Sequence, residues 1–165
     1  MRVTKRSAPR KPPFERPDER RLAVWTDFLL GHSRIMAALE QELQQVHGMS
    51  MAEYDVLHHL AQAPGRRMRM SEVSQALLYT TSGTTRLLDR MTAAGLVDRE
   101  PSPQDRRVVH AVLTRKGIAL LREASATHLD GVQRHFGALL PDAELDAAQR
   151  FMARLSGASE PEAGG

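Results

Sequence analysis

The sequence that decides the fold of this chain is SEVSQALLYTTSGTTRLLDRMTAAGLV, residues 71–97. Ser71 is a favourable N-cap for a short helix from Glu72 to Leu78, and Thr80 or Thr81 provides the cap of a second helix. The second helix has apolar residues on one side and ends in a stop signal; these are Leu87, Leu88 and Met91, followed by Ala94-Gly95. Two short helices joined by a tight turn are typical of a helix-turn-helix.

Two runs that favour β-structure follow this motif. The first is Leu96–Glu100, the second is Arg107–Leu113, and the loop between them contains Pro, Ser, Gln and Asp. Alternating runs on either side of a turn-forming loop predict an antiparallel hairpin.

A long amphipathic pattern precedes the motif. We predict a helix from about Asp18 to Gly48, because Pro17 comes before it and glycine favours a left-handed C-cap. Its apolar stripe has alternating spacings of three and four residues and consists of Leu22, Trp25, Leu29, His32, Met36, Leu39, Leu43 and Val46. Such a stripe needs a partner helix, from the same chain or from another. Ser50 and Glu53 then form a capping-box pattern that opens a further helix.

Two more helices are predicted after the hairpin. Thr114 caps the first, and Pro141-Asp142 opens the second. Their apolar sides consist of Ile118, Leu121, Ser125, Leu129, Val132 and Phe136 in the first, and of Leu145, Ala148, Met152 and Leu155 in the second. The expected fold class is therefore mainly α, with one small β-hairpin.

The composition excludes several classes of function. The chain has 165 residues and no cysteine, so disulfides, thiolate metal sites and cysteine nucleophiles are ruled out. It has no apolar run of transmembrane length and no apolar signal-peptide core, so we expect a cytoplasmic protein without a membrane partner. No nucleophile–base pair, metal cluster or phosphate loop has a workable spacing, and we expect no catalytic residue and no cofactor.

The charges are distributed unevenly along the chain. Residues 66–116 contain ten basic and five acidic residues, a net of +5, and residues 1–21 contain eight and three, again +5. Residues 22–65 contain one basic and five acidic residues, and residues 117–165 contain four and seven. A basic middle segment between acidic ones fits a surface built for a polyanion. An unevenly charged solvated surface is the alternative.

The start of the second helix of the motif is suited to DNA. The residues concerned are Thr81, Ser82, Gly83, Thr84, Thr85, Arg86 and Arg90. The first five are small, so this helix end can approach base edges in the major groove closely. Arg86 and Arg90 share one face; the first is placed to reach a guanine edge and the second a phosphate. Alternatively, both pair with Asp89 or face solvent.

Six short motifs occur in order between Ser50 and Gly117. They are Tyr54-Asp-Val-Leu57, Ser71-Glu-Val73, Thr81-Ser-Gly-Thr-Thr-Arg-Leu-Leu-Asp-Arg90, Ala94-Gly-Leu-Val97, Asp105-Arg-Arg107 and Leu113-Thr-Arg-Lys-Gly117. In this order and spacing they resemble the multiple-antibiotic-resistance regulator (MarR) family. The flanking helices extend the resemblance to about residues 18–156.

The resemblance implies a winged helix-turn-helix in which the hairpin is the wing. By position, Arg107, and next to it Arg106, would enter the minor groove, steadied by Asp105; a narrow minor groove attracts arginine. Many family members have a charged or longer polar residue early in the recognition helix. This chain has only small residues from Thr80 to Thr85, and its operator sequence stays undetermined.

The family also commonly binds small aromatic or phenolic compounds between the DNA-binding lobe and the dimerisation helices. Trp25 and His32 on the first helix, with Tyr54 and His58 on the second, are candidates to line such a cleft. The alternative is that the two aromatic residues belong to the core and that the histidines have local partners. We expect no metal site, because His58 and His59 point to different helix faces and the spacing of the other histidines is unsuitable.

These patterns together predict a homodimeric regulator that binds double-stranded DNA. The expected segments are a disordered basic arm (1–17), an N-terminal dimerisation helix (18–48), the DNA-binding lobe (49–114), C-terminal dimerisation helices (115–156) and a disordered tail (157–165). A dimer of this kind would bind a pseudo-palindromic operator, most simply as a repressor that an effector releases. A winged-helix protein–protein interaction module that does not bind DNA is the alternative.

Overall fold

The computed structural model of the chain describes residues 17–77, 83–102, 105 and 108–157. The chain divides into two compact units, residues 1–34 and residues 35–165. The described part of the first unit belongs to one helix. All the remaining elements lie in the second unit.

Six α-helices and three β-strands are formed within the described residues. The helices are α1 (Glu19–His47), α2 (Met51–Gln62), α3 (Met70–Ala76), α4 (Thr84–Ala93), α5 (Arg115–His135) and α6 (Asp142–Ser156). The strands are β1 (Arg67–Arg69), β2 (Val97–Pro101) and β3 (Val109–Leu113). The predicted mainly helical fold with a hairpin is confirmed. None of these helices is both long and apolar enough to span a bilayer.

The sheet has three antiparallel strands in the order β1-β3-β2. The predicted hairpin forms between β2 and β3, with Val97 opposite Leu113. Strand β1 was not predicted; it pairs with β3 and places Arg67 opposite Val112. Three residues with two arginines carry almost no β-pattern, so the sequence gives no local signal for this strand.

The core of the second unit lies between α2, α4, the sheet and the start of α5. Its largest fully buried side chains are Leu43, Val56, Leu57, Leu60, Val73, Leu88, Met91 and Val97. From α1, Leu39 and Leu43 also join this core. The helix-turn-helix is thus held on an apolar base that includes part of the N-terminal helix.

Two helix starts differ in how well the sequence predicted them. At α2 the capping box forms as predicted: the Glu53 amide donates to Ser50 Oγ (3.2 Å) and the Ser50 amide donates to Glu53 Oε2 (2.8 Å). At α3 the prediction of a Ser71 cap is wrong. That helix begins directly after β1, and Glu72 Oε2 accepts from the Arg69 amide at 2.7 Å.

The start of α4 is also corrected. The helix begins at Thr84, later than the predicted caps Thr80 and Thr81, which lie outside the described residues. Its N-cap is Gly83, whose φ of 116° is in a region that side chains disfavour. Its end is as predicted: the Leu96 amide donates to the Met91 carbonyl and the Gly95 amide to the Thr92 carbonyl, both at 2.9 Å. These two bonds define a Schellman motif.

Thr114 caps α5 as predicted, since its Oγ1 accepts from the Gly117 amide at 3.0 Å. Gly117 itself lies against the turn that follows α4. A Cβ atom added there would come within 2.3 Å of the Leu96 carbonyl oxygen and 2.8 Å of Leu113 Cδ1. Only glycine allows α5 to begin so close to that turn.

The apolar stripes at the two chain ends are only partly buried. Of the α1 stripe, Leu39 and Leu43 are buried, whereas α6 has no buried residue. The large apolar side chains that stay exposed are Leu22, Val24, Trp25, Leu29, Leu30, Val46, Leu129, Phe136, Leu139, Leu145, Phe151, Met152 and Leu155. The dimerisation role and the segment boundaries predicted from the sequence stay predictions.

The contact at Gly117 can be tested by whether Gly117→Ala raises or lowers the free energy of unfolding. Helix propensity alone predicts that Gly117→Ala stabilises the protein by about 1 kcal/mol. Because the new methyl group would overlap the Leu96 carbonyl, we expect a loss of roughly 2–3 kcal/mol instead. Urea unfolding followed by circular dichroism measures the difference. An unfolding midpoint at or above that of the wild type would contradict the close approach.

Candidate nucleic-acid interface

Helix α4 separates a core face from a solvent face. Thr84, Leu87, Leu88 and Met91 are buried, whereas Thr85, Arg86, Asp89 and Arg90 are exposed. The buried residues recur at three- and four-residue intervals, which fixes the rotation of the helix on the core. The exposed face therefore presents two arginines and a threonine to solvent.

The two arginines do not pair with Asp89, which was one form of the alternative; both are exposed to solvent, which was the other form. Asp89 Oδ1 is 2.5 Å from Arg99 Nη2, on β2. Within the described ranges, neither Arg86 nor Arg90 takes part in an ion pair. The Asp89–Arg99 pair thus connects α4 to the hairpin and leaves the charges of Arg86 and Arg90 available for a partner.

The predicted site residues at the start of α4 do not all face solvent. Thr85 and Gly83 are exposed, but Thr84 is only 3% exposed and its side chain belongs to the core face. Thr81 and Ser82 lie outside the described residues. The part of the predicted set that the structure brings together on one exposed surface is therefore Gly83, Thr85, Arg86 and Arg90.

Two backbone hydrogen bonds continue the hairpin beyond the ends of β2 and β3, toward the predicted wing tip. The Ser102 amide donates to the Val108 carbonyl (2.8 Å), and the Val108 amide donates to the Asp105 carbonyl (2.9 Å). Asp105 is exposed, as its predicted role requires. Arg106 and Arg107, the predicted minor-groove residues, lie outside the described part of the chain.

The sequence did not identify the contacts that support α4. Arg99 is one such residue; Lys116 is another, since its Nζ donates to the Ala94 carbonyl at 2.7 Å. Asp89 and Arg99 are ten residues apart on different elements, so no periodicity brings them together. Ala94 and Lys116 are 22 residues apart, and no periodicity brings them together either.

The four predicted ligand residues fall into the two units. In the first unit, Trp25 is 53% exposed and stacks on Phe28 at a ring-centroid distance of 5.9 Å. Phe28 in turn lies 6.2 Å from the His32 ring. Trp25 and His32 are therefore joined through Phe28 along one face of the helix.

In the second unit, Tyr54 is 5% exposed and belongs to the core, as the alternative stated; for the exposed Trp25 that alternative is wrong. Its ring lies 5.9 Å from His58 and 4.6 Å from His128, and its hydroxyl donates to Ser125 Oγ at 3.4 Å. His58 has a local partner in Gln62, at 2.8 Å. These contacts join α2 to α5.

Burial perturbs two ionisable groups, one on α5 and one on α2. It lowers the pKa of His128, an effect that the nearby His58 increases. It raises the pKa of the Asp55 carboxyl, against the opposite influence of His59 and His58. In the described residues, no group of three or more His, Asp or Glu side chains is arranged to hold a metal ion.

Comparisons with known proteins agree with this architecture. The model of the MarR family matches residues 47–108. The chain is 31% identical over 97 residues to YkoM of Bacillus subtilis, an uncharacterized HTH-type transcriptional regulator; the match covers 58% of this chain and 61% of YkoM, less than two thirds of its length. It is 33% identical over 122 residues to the HTH-type transcriptional regulator PecS of Dickeya dadantii, covering 70% of this chain and 71% of PecS.

A solved structure extends the similarity over nearly the whole chain. The MarR family transcriptional regulator Sco3205 from Streptomyces coelicolor, crystallised in complex with DNA, has a TM-score of 0.79 at 26% identity and covers 92% of this chain and 95% of its own. The winged helix-turn-helix predicted from the sequence is therefore confirmed, and its relatives are transcription regulators. From the match to PecS and this architecture together, we conclude that the chain belongs to the MarR family of transcriptional regulators.

Proposed function

We propose that the chain binds a pseudo-palindromic operator as a homodimer and represses transcription from it. The observation that carries the proposal is the solvent face of α4, where Arg86 and Arg90 stay unpaired within the described residues while Asp89 is held by Arg99. A helix that presents small and basic residues on one face fits the major groove. That Sco3205 was crystallised with DNA supports the same use of the fold.

The homodimer rests on the exposed apolar side chains at the chain ends. All the large exposed ones in the described residues lie on α1, on α6, or on the second half of α5 with the turn after it. None lies between residues 48 and 128 of the described chain. Amphipathic helices with no buried residue, such as α6, need a partner surface, and a second copy of the same helices supplies one of matching character.

Repression would follow from the bound dimer occupying the promoter. A dimer on two half-sites one helical turn apart blocks a promoter without any further activity. We propose that a small aromatic or phenolic compound releases it. Selecting genomic fragments with the purified protein and sequencing them would identify the operator; failure to retain any fragment would favour an interaction module that does not bind DNA.

The proposed interface predicts different roles for two arginines. We expect Arg86→Ala to relax base preference at one position in each half-site. Arg107→Ala should weaken binding by about 1–3 kcal/mol, most strongly on sites with an A·T-rich flank, because a narrow minor groove concentrates negative potential. Fluorescence anisotropy with a panel of operator variants measures both effects.

The matched control is Arg122→Ala, which removes an equal charge from the exposed side of α5. Its affinity should stay within twofold of the wild type. Equal losses for all three variants would indicate a general charge effect and would contradict the assigned roles.

The proposed dimer predicts that polar substitutions on α6 separate the subunits. Leu145→Asp combined with Leu155→Asp places charges on a helix that has no buried residue, so the fold of each subunit should persist. We expect the wild type to sediment as a dimer at micromolar concentration and the double variant to sediment as a monomer with reduced operator affinity. Asp146→Ala, on the same helix, is the control. A monomeric wild type would rule out the proposed assembly.

From the basic N-terminal arm we predict a contribution to the salt dependence of DNA affinity. Residues 1–16 lie outside the described chain, and the family resemblance does not cover them. If each arm neutralises two phosphates, deleting residues 1–16 should lower the slope of log affinity against log salt by roughly 3 to 4 for the dimer, since each released counterion contributes about 0.9. Base preference should not change, because phosphates carry no base identity. Coincident salt titrations for the two proteins would mean that the arm does not contact DNA.

A further inference from the structure

The turn after α4 leaves three consecutive carbonyl groups without partners in their own helix. The Schellman motif satisfies the carbonyls of Met91 and Thr92. The carbonyls of Ala94, Gly95 and Leu96 come after these and point out of the motif. Of the three, the Ala94 carbonyl belongs to the C-cap residue of α4 and lies at the negative end of the helix dipole.

All three carbonyls accept hydrogen bonds from the segment that begins α5. Lys116 Nζ donates to the Ala94 carbonyl at 2.7 Å. The Thr114 hydroxyl lies 2.8 Å from the Gly95 carbonyl oxygen, and the Thr114 amide donates to the Leu96 carbonyl at 3.2 Å. We call this set of contacts between residues 94–96 and 114–117 the α4–α5 junction.

The junction connects α4 to α5, and α5 in turn is bonded to the N-terminal helix α1. Helix α5 has 21 residues, and its far end is bonded to α1: Glu42 accepts from His135 (2.8 Å) and lies 2.8 Å from Arg134. The hydrogen bond from His135, and after it the one from Arg134, hold the pKa of the Glu42 carboxyl below its ordinary value, so the carboxylate is charged. One helix therefore contacts α4 at its start and α1 at its end.

We propose that Lys116 is a positioning residue for the recognition helix α4. Its ammonium group holds the end of α4 against the start of α5, and it thereby sets how the exposed face with Arg86 and Arg90 is presented to DNA. The proposal rests on the DNA-binding function proposed above. Lys116 acts through α4 and is assigned no contact with DNA.

The physical reason is that α4 is short. A helix of ten residues has little stability of its own, so its position depends on packing and on the bonds at its ends. A positive charge close to its last carbonyls is attracted to the negative end of the helix dipole. A charged donor also makes a stronger hydrogen bond than a neutral one. Without Lys116 the last turn of α4 would open more often.

The neighbouring residue provides a matched control. Arg115 and Lys116 are both exposed basic residues in the first turn of α5; of these two, Lys116 alone donates to the turn after α4 among the hydrogen bonds of the described chain. Lys116→Met removes the charge and keeps most of the stem. Arg115→Met removes an equal charge from the next position, and Lys116→Arg restores a donor.

The test uses the full chain and the duplex selected with the wild-type protein. For Lys116→Met we expect about three- to tenfold weaker binding, with the size set by the loss of one charged hydrogen bond at an exposed site. Lys116→Arg should recover most of the affinity, and Arg115→Met should stay within twofold of the wild type. The slope of affinity against salt should not change, because no phosphate contact is lost.

Hydrogen exchange without DNA tests the junction independently of the proposed function. The amides of Gly95 and Leu96, which close the last turn of α4, should exchange several times faster in Lys116→Met than in the wild type or in Arg115→Met. If this occurs but the wild type retains no DNA, the proposed function fails and the junction stands.

Two results would overturn the proposal. One is that Lys116→Met binds the duplex as tightly as the wild type and that its Gly95 and Leu96 amides exchange at the wild-type rate. The other is a weaker affinity with a salt slope lower by about 0.9 per site and unchanged exchange, which would make Lys116 a direct phosphate contact.

Discussion

The close approach of Gly117 to the Leu96 carbonyl is the constraint on which the arrangement of the second unit depends. It allows α5 to begin directly beside the turn that ends α4, and it brings Thr114 within hydrogen-bond distance of the same turn. Thr114 then serves two elements, because its oxygen accepts from the Gly117 amide while its hydroxyl lies next to the Gly95 carbonyl. The helix that presents the arginines and the long helix behind it thus share one set of bonds.

On α4, the buried apolar residues and the exposed charged residues lie on opposite faces. The core face of α4 is fixed by Leu87, Leu88 and Met91, and this leaves Arg86 and Arg90 on the opposite side. Asp89, which lies between the two arginines in sequence, is drawn toward Arg99 on the hairpin. The acidic residue in the middle of the basic face is therefore neutralised by the strand that leads into the wing.

The sequence predicted the elements whose signals are local. The capping box at Ser50 and the glycine at the end of α4 are such signals, and both ends lie where they were predicted. The starts of α3 and α4 were misplaced for different reasons. At α3, Ser71 is a local capping signal, but strand β1 ends at Arg69 and the helix follows it directly. At α4, several hydroxyl residues precede the helix and propensity cannot choose among them; Gly83, with its left-handed backbone, is the N-cap instead. Strand β1 and the Asp89–Arg99 pair depend on residues distant in sequence, and no single-sequence pattern encodes them. Among the predicted site residues, Thr84 was assigned to the DNA-facing side only because it lies at the start of the helix; its spacing of three and four residues from Leu87 and Leu88 would have placed it on the core face, where the structure has it.

The division of α4 into two faces has an evolutionary consequence. Its core-facing and solvent-facing residues are different residues, so substitutions at Thr85 or Arg86 leave the packing of Leu87 and Leu88 intact. Gly83, by contrast, can accept few replacements, because its φ of 116° is strained for any side chain. On the DNA-binding function proposed above, a lineage that carries this fold could change which DNA sequences it prefers one exposed position at a time, while the glycine just before the helix stays the same.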